Sequence, residues 1–128
     1  WIKHVSPQTQ VIGVSSTTAD AMHASFKSGS IVERESANTI ADGIAVRTPV
    51  PEAVTDMMGI VDDVLLVTDE ALKSAMKIVF DKAGLVTEPA GIAGIAAVLE
   101  HQALRGKKLA SVLCGSNITT EQVEMWLR

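Results

Sequence analysis

The sequence predicts an α/β domain of three layers, with helices on both sides of a mostly parallel sheet. Three observations carry that expectation. Short apolar runs of strand length alternate with longer stretches of helical period, the order that βαβ units produce. Hydrophobic residues make up 47% of the 128, yet aromatics only 3%, so the core must be aliphatic. Finally, Leu109–Leu113 runs into the small polar turn Cys114-Gly115-Ser116-Asn117 and then toward a helix. A buried strand that breaks into such a turn at its carboxyl end is where open α/β sheets place ligands.

The elements follow in order. Trp1 and Val5 are spaced as one helical face, and Ser6-Pro7 ends it, the tail of a helix begun earlier. Gln10–Val14 (QVIGV) is a short strand rich in β-branched residues. Thr17 or Thr18 is placed to cap a helix over Ala19–Ser28, which Gly29 stops. Residues 30–50 show no period, and Asp42-Gly43, Pro49 and Pro51 mark turns in an apolar, packed loop. Pro51-Glu52 opens a helix with Val54, Met57, Met58 and Val61 on its apolar face, and Asp62-Asp63 breaks it. Val64–Val67 is the next strand. Thr68 caps a long helix carrying Leu72, Ala75, Met76, Val79 and Phe80 on one face, closed by Gly84. After a short extended piece at Leu85–Thr87, Pro89–Leu104 is a helix apolar nearly all round, hence buried on most sides. Its two glycines each cost about 1 kcal/mol against alanine, so something must approach the backbone closely there. Leu109–Leu113 is the last strand, and Thr119 with Gln122 forms a capping box for a final helix.

Composition excludes several function classes. A net charge of −4 with no basic block argues against nucleic-acid binding. No run approaches the roughly 20 apolar residues of a membrane span. A single cysteine forms no internal disulfide, which fits a reducing, cytoplasmic location.

Two groups are candidates for chemistry, each with a structural alternative. Cys114 is either an activated thiol before a helix N-terminus or a small residue at a tight turn. Glu88 either caps the helix beginning at Pro89 or faces a ligand from the base of a pocket. His4, His23 and His101 are all distant from Cys114 in sequence, so nothing supports a Cys–His pair. Asp20, Glu33 and Glu35 form only a loose acidic set, and no metal site is expected.

Four stretches together resemble the fold-type II pyridoxal-phosphate enzymes, and most closely their threonine/serine dehydratase (ammonia-lyase) branch, which includes serine racemase. They are QVIGV at 10–14, TIADGIAVRTP at 39–49, VDDVLLVTDEAL at 61–72, and EPAGIAG with GKKLASVLCGSNIT between 88 and 119. The resemblance covers essentially the whole chain. It implies that residues 1–128 are a single partial domain, the C-terminal half of a tryptophan synthase beta-like domain. The phosphate-gripping glycine loop and the Schiff-base lysine would then lie earlier in the polypeptide. Lys3, Lys27, Lys73, Lys77, Lys82, Lys107 and Lys108 sit in no matching context, so no catalytic residue is expected in this piece, and the 128 residues alone should be inactive.

Four positions inherit a role from the resemblance, all toward pyridoxal 5′-phosphate. Cys114 matches the serine or cysteine that meets the pyridine nitrogen, and Gly115 would flank that edge of the ring. Gly43 matches the loop glycine beside ring and substrate, and Glu88 a pocket carboxylate near the ring. Where many relatives carry carboxylates that help bind a divalent cation, this sequence has Ser15 and Ala21, with Ala19 offering only a carbonyl. The implied activity is loss of the β-hydroxyl from threonine or serine, giving a 2-oxo acid and ammonia. The partners implied are a small amino-acid substrate and a second copy in a homo-oligomer. The alternatives are an amino-acid racemase or β-replacement synthase of the same fold, or a non-catalytic fragment that associates through an open sheet edge.

Overall fold

A computed structural model describes all 128 residues. Two strands, β1 (Ile12–Ser16) and β2 (Asp63–Val67), pair in parallel, with Ile12 opposite Asp63 and Ser16 opposite Val67. Between them the chain passes through α2 (Ala21–Ser28), a long loop and α3 (Pro51–Met57). A short α1 (Ile2–Val5) precedes β1, and α4 (Asp69–Ala83), α5 (Ala93–Glu100) and α6 (Thr120–Leu127) follow β2. The expected α/β class is therefore present, built on a small parallel sheet.

Side-chain alternation along the strands sorts the helices onto two faces. Val14 and Val67 point to one face and join the main core with Leu72, Ala75 and Met76 of α4, Ala96 and Ala97 of α5, and Leu127 of α6. Gly13 and Val64 point to the other, toward Met22 of α2 and Met57 of α3. With scarcely an aromatic ring available, the core closes on alanine: five of its ten buried residues are Ala41, Ala75, Ala93, Ala96 and Ala97, whose small side chains let the helices approach closely. No helix is long and apolar enough to cross a membrane.

Local chemistry explains the well-placed boundaries. Thr68 Oγ1 accepts from the Ala71 amide and opens α4, and Gly84, at φ 67°, closes it in the left-handed conformation. Gly29 does the same for α2 at φ 69°. Pro51 stands in the first turn of α3. Thr119 and Gln122 make the full reciprocal capping box at α6.

Five expectations need correction. The first strand runs over Ile12–Ser16, because the Val11 amide is taken by the Asp62 carboxylate at 2.7 Å and the ladder begins one residue later. Ser15 and Ser16 are consequently buried strand residues. Neither Thr17 nor Thr18 caps α2, which starts at Ala21 after a turn that returns the Ala19 amide to the Ser16 carbonyl. Helix α3 ends at Met57, and the Ile60 and Val61 amides fold back onto the Met57 carbonyl, leaving Val61 outside the helix. The stretch 89–104 is three pieces rather than one helix: a 3-10 turn at Ala90–Ile92, α5, and a 3-10 turn at Gln102–Leu104. The largest departure is Leu109–Leu113, which forms no strand. It is irregular and exposed, with Val112 at 78%, and it lies along the start of α5 instead of joining the ladder.

Candidate functional site

The chain leaving α4 enters the core at Thr87 and emerges at Glu88-Pro89, where the 3-10 turn at Ala90–Ile92 begins. The 109–117 segment returns to this point and is held there by main-chain bonds. The Cys114 amide donates to the Gly91 carbonyl at 3.5 Å, and the Glu88 amide donates to the Gly115 carbonyl at 3.1 Å. Both helix glycines are explained by this approach. A side chain at Gly91 would overlap the Cys114 carbonyl, and one at Gly94 would overlap Ser111, whose Cβ stands 3.1 Å from the position it would take. Because the Gly91 carbonyl serves Cys114, it is drawn away from a regular helical ladder, a physical reason for the 3-10 start.

Glu88 does not cap the helix at Pro89, which has no side-chain cap. Its carboxylate instead turns to the returning segment, where Oε2 accepts from the Asn117 amide at 2.9 Å. Gly115 stands against the same carboxylate: a Cβ added there would lie 2.6 Å from Oε2 and nearer still to Oε1 and Cδ. Its φ of 72° is a left-handed conformation that favours glycine on its own account. Gly43 sits in a 3-10 turn over Asp42–Ile44, its amide donating to Asp42 Oδ1 at 2.8 Å. A Cβ there would meet Ala90 Cβ at 3.0 Å. Gly43 also lines an apolar cleft of about 210 Å³ with Ser15, Met22, Ile44 and Met57.

All four positions singled out in the sequence, Gly43, Glu88, Cys114 and Gly115, thus converge on the segment Glu88–Gly91. Cys114 is a free, exposed thiol. Helix α6 begins only at Thr120, and its first amides are engaged by the capping box, so Cys114 is not directly at a helix N-terminus as its sequence position suggested. Three features of the region carried little sequence signal. The Asn117 amide acts through its main chain, which any residue but proline supplies. Thr87 is buried with its hydroxyl lacking any partner. His23 and His101 serve the sheet, as Val64 and Leu66 carbonyls each meet a histidine ring nitrogen at 2.7 Å.

Several charged groups elsewhere are committed to structure. Lys3 pairs with Asp62 and Lys27 with Asp63, and each lysine's hydrogen bond holds its partner carboxyl below the ordinary carboxylate value. Arg34 grips Asp20 through two bonds of 2.7 and 2.9 Å, with the same effect on Asp20. Ala19 and Ala21, the positions compared with a cation site, are both buried.

A parallel sheet flanked by helices, with a carboxylate and a thiol brought onto one glycine-lined turn, places the chain among α/β domains. The pyridoxal-phosphate dependent enzyme family matches residues 1–115, and this chain belongs to that family. It is 35% identical over 123 residues to the L-threonine ammonia-lyase of Thermotoga maritima, covering 96% of this chain and 31% of that enzyme. The crystal structure of T.th. threonine deaminase superposes with a TM-score of 0.86 at 35% identity, over 92% of this chain and 43% of that one. Maize serine racemase gives 0.84 at 27% identity, over 96% and 39%. The chain therefore spans about a third of the length of the curated relative and about two fifths of the solved structures.

Proposed function

We propose that these residues form the ring-side part of a pyridoxal-phosphate-dependent threonine/serine dehydratase. Such an enzyme eliminates the β-hydroxyl of a hydroxy-amino acid and yields a 2-oxo acid and ammonia. The observation that carries this reading is the 35% identity to an L-threonine ammonia-lyase along 96% of the chain. Its support within the chain is the turn itself: an exposed thiol at Cys114 and a carboxylate at Glu88 flank a glycine, a donor and an acceptor beside the small-residue edge that a flat heteroaromatic ring requires. The small, polar turn fits pyridoxal phosphate at its nitrogen edge, where Cys114 would meet the pyridine nitrogen and Gly43 and Glu88 would lie beside the ring.

When bound, pyridoxal phosphate supplies an electron sink for the charge left at Cα after proton removal. Cys114 would offer the ring nitrogen a thiol rather than a carboxylate as its partner, which would make the ring a weaker electron sink and favour loss of the β-hydroxyl. Glu88, fixed to the main chain through one oxygen, keeps the other for a donor on the ligand. None of the lysines lies in a context matching the covalent anchor, and Lys3 and Lys27 are engaged in ion pairs. The 128 residues alone, a partial domain, are therefore expected to be inactive.

The test is made on a holoenzyme containing these residues, incubated with L-threonine and L-serine while 2-oxo acid, ammonia and the D-enantiomer are followed. Formation of 2-oxobutanoate from threonine is the expected result. D-serine without 2-oxo acid would instead favour the racemase, the second reading, which the likeness to maize serine racemase supports. Activity in the 128 residues alone would contradict the assignment of the anchor to another segment. Replacing Cys114 with alanine is expected to shift the cofactor absorbance, and an unchanged spectrum with unchanged turnover would leave the thiol a purely structural role. The same reading includes a homo-oligomer in the cytoplasm with a small amino-acid substrate.

A further inference from the structure

The turn glycine has a second demand on it besides its backbone angle. The Glu88 carboxylate occupies the volume that any side chain at Gly115 would need, and the Asn117 amide fixes Oε2 from the other side. The Glu88 amide is in turn bonded to the Gly115 carbonyl, so the two residues are tied at main chain and side chain together. Oε1 receives no hydrogen bond from the protein, although the residue is half-buried. A carboxylate with one oxygen tethered and the other unoccupied presents a single acceptor in one fixed direction.

We propose that Gly115 and the Asn117 amide are positioning residues that clamp Glu88 so that Oε1 accepts a hydrogen bond from the bound cofactor or substrate. This rests on the dehydratase reading above, and it assigns the missing Cβ of Gly115 to making room for Glu88 rather than for the ring. The clamp acts by removing rotamers: an unrestrained glutamate has three side-chain torsions to order before it can accept, and the turn has already ordered them.

A double-mutant cycle on the holoenzyme separates this from a backbone role. Gly115→Ala strains the left-handed backbone equally whatever occupies position 88, whereas the clash with the carboxylate exists only when Glu88 is present. Gly115→Ala is therefore expected to raise the dissociation constant for pyridoxal phosphate, read by fluorescence titration, about tenfold beside Glu88 and by less than about twofold in a Glu88→Ala background. The melting temperature of the apoprotein should show the same dependence, and Glu88→Ala/Gly115→Ala restores folding if the single glycine variant is too unstable to purify. Glu88→Gln supplies a variant free of steric change. Its amide oxygen still accepts from Asn117 while an NH₂ stands where Oε1 was, so the apoprotein melting temperature should hold while cofactor affinity falls.

Equal losses from Gly115→Ala in both backgrounds would overturn the proposal and leave only the backbone requirement. Coupling in the apoprotein melting temperature without coupling in cofactor affinity would overturn it too, reducing the clamp to a folding contact. An unsubstituted protein that binds no pyridoxal phosphate would overturn the dehydratase reading itself, an outcome distinct from both.

Discussion

At Thr87 a hydroxyl is buried without a partner, and its loss of water is uncompensated. Thr87→Val keeps the branched shape and removes the unpaired group. It is expected to stabilise the protein by about 1 kcal/mol, seen as a higher urea midpoint at unchanged slope. A lower midpoint would mean that the hydroxyl has a partner in solution. Gly91 makes the opposite point, since a methyl there would overlap the Cys114 carbonyl and so push the 109–117 segment away. Gly91→Ala is expected to destabilise by about 3 kcal/mol, the upper range for overpacking, and to raise proteolysis between Lys107 and Asn117. That something would approach the helix glycines was legible in the sequence, because glycine inside an apolar helix otherwise costs stability for nothing. What would approach was not, since the partner is the chain itself some twenty residues on. The latch on Glu88 was hidden for a different reason: it is a main-chain amide, which side-chain identity does not report.

Secondary-structure elements repeat this division between local and distant causes. Caps and stops at Thr68, Gly84, Gly29, Pro51 and Thr119 were placed correctly because each signal acts within a few residues. A strand is a property of a pair, and Leu109–Leu113 has the composition of one without a neighbour to form it. The two existing strands also differ at their outer edges. On β2 the outward Val64 and Leu66 carbonyls meet His23 and His101, the Val64 amide donates to Asp63 Oδ1 at 2.7 Å, and the Thr68 amide donates to Glu100 Oε2 at 3.0 Å. Most of that edge is engaged by side chains, which guards it against pairing with another strand. Replacing both histidines with alanine should lower stability by about 1 kcal/mol per bond and raise the mass measured by light scattering. A variant that remains at the unsubstituted mass would show that the rings do not protect the edge.

Ion pairs fasten these elements and set the acid response. Arg34 to Asp20 holds the long loop against α2, Lys27 to Asp63 ties α2 to β2, and Lys3 to Asp62 ties α1 to the entry of β2. Each carboxyl lies below its ordinary value in the fold, so below the unfolded value of roughly 3.9 the unfolded chain binds more protons. The stabilisation is complete above that value and is lost as pH falls through the depressed folded values. Because all three pairs are partly exposed, their share is modest and screened by salt. Asp20→Asn should flatten the fall in unfolding free energy between about pH 4 and pH 2, and an unaltered slope would remove Asp20 from the account.

Across the whole molecule the open edge of the sheet is β1. In the observed register the Thr17 amide reaches the Val67 carbonyl, so odd-numbered residues of β1 face β2 and Ile12 and Val14 face away. Beyond them lies a cleft of about 260 Å³, bounded by Gln8, Gln10 and Ile12 on one side and by Leu104, Lys108 and Leu109 on the other. The 109–113 segment flanks that cleft with Leu109, Val112 and Leu113 exposed, a stretch of apolar surface open to solvent. Family membership was legible from motifs spread along the chain. The gap was not, because it lies between two stretches that are each regular in sequence. Amide exchange reads the difference residue by residue. In the 128-residue chain the Gly13 and Ser15 amides should exchange slowly, while those of Ile12, Val14 and 109–113 exchange at rates close to those of exposed peptide. In a holoenzyme about three times as long, as the relatives are, the Ile12 and Val14 amides should become slow, since a sheet continued across β1 would engage them. Fast exchange at Ile12 and Val14 in both forms would mean that β1 is a true edge. Slow exchange in the short chain would mean that copies of it already pair there, through the one edge that no side chain closes.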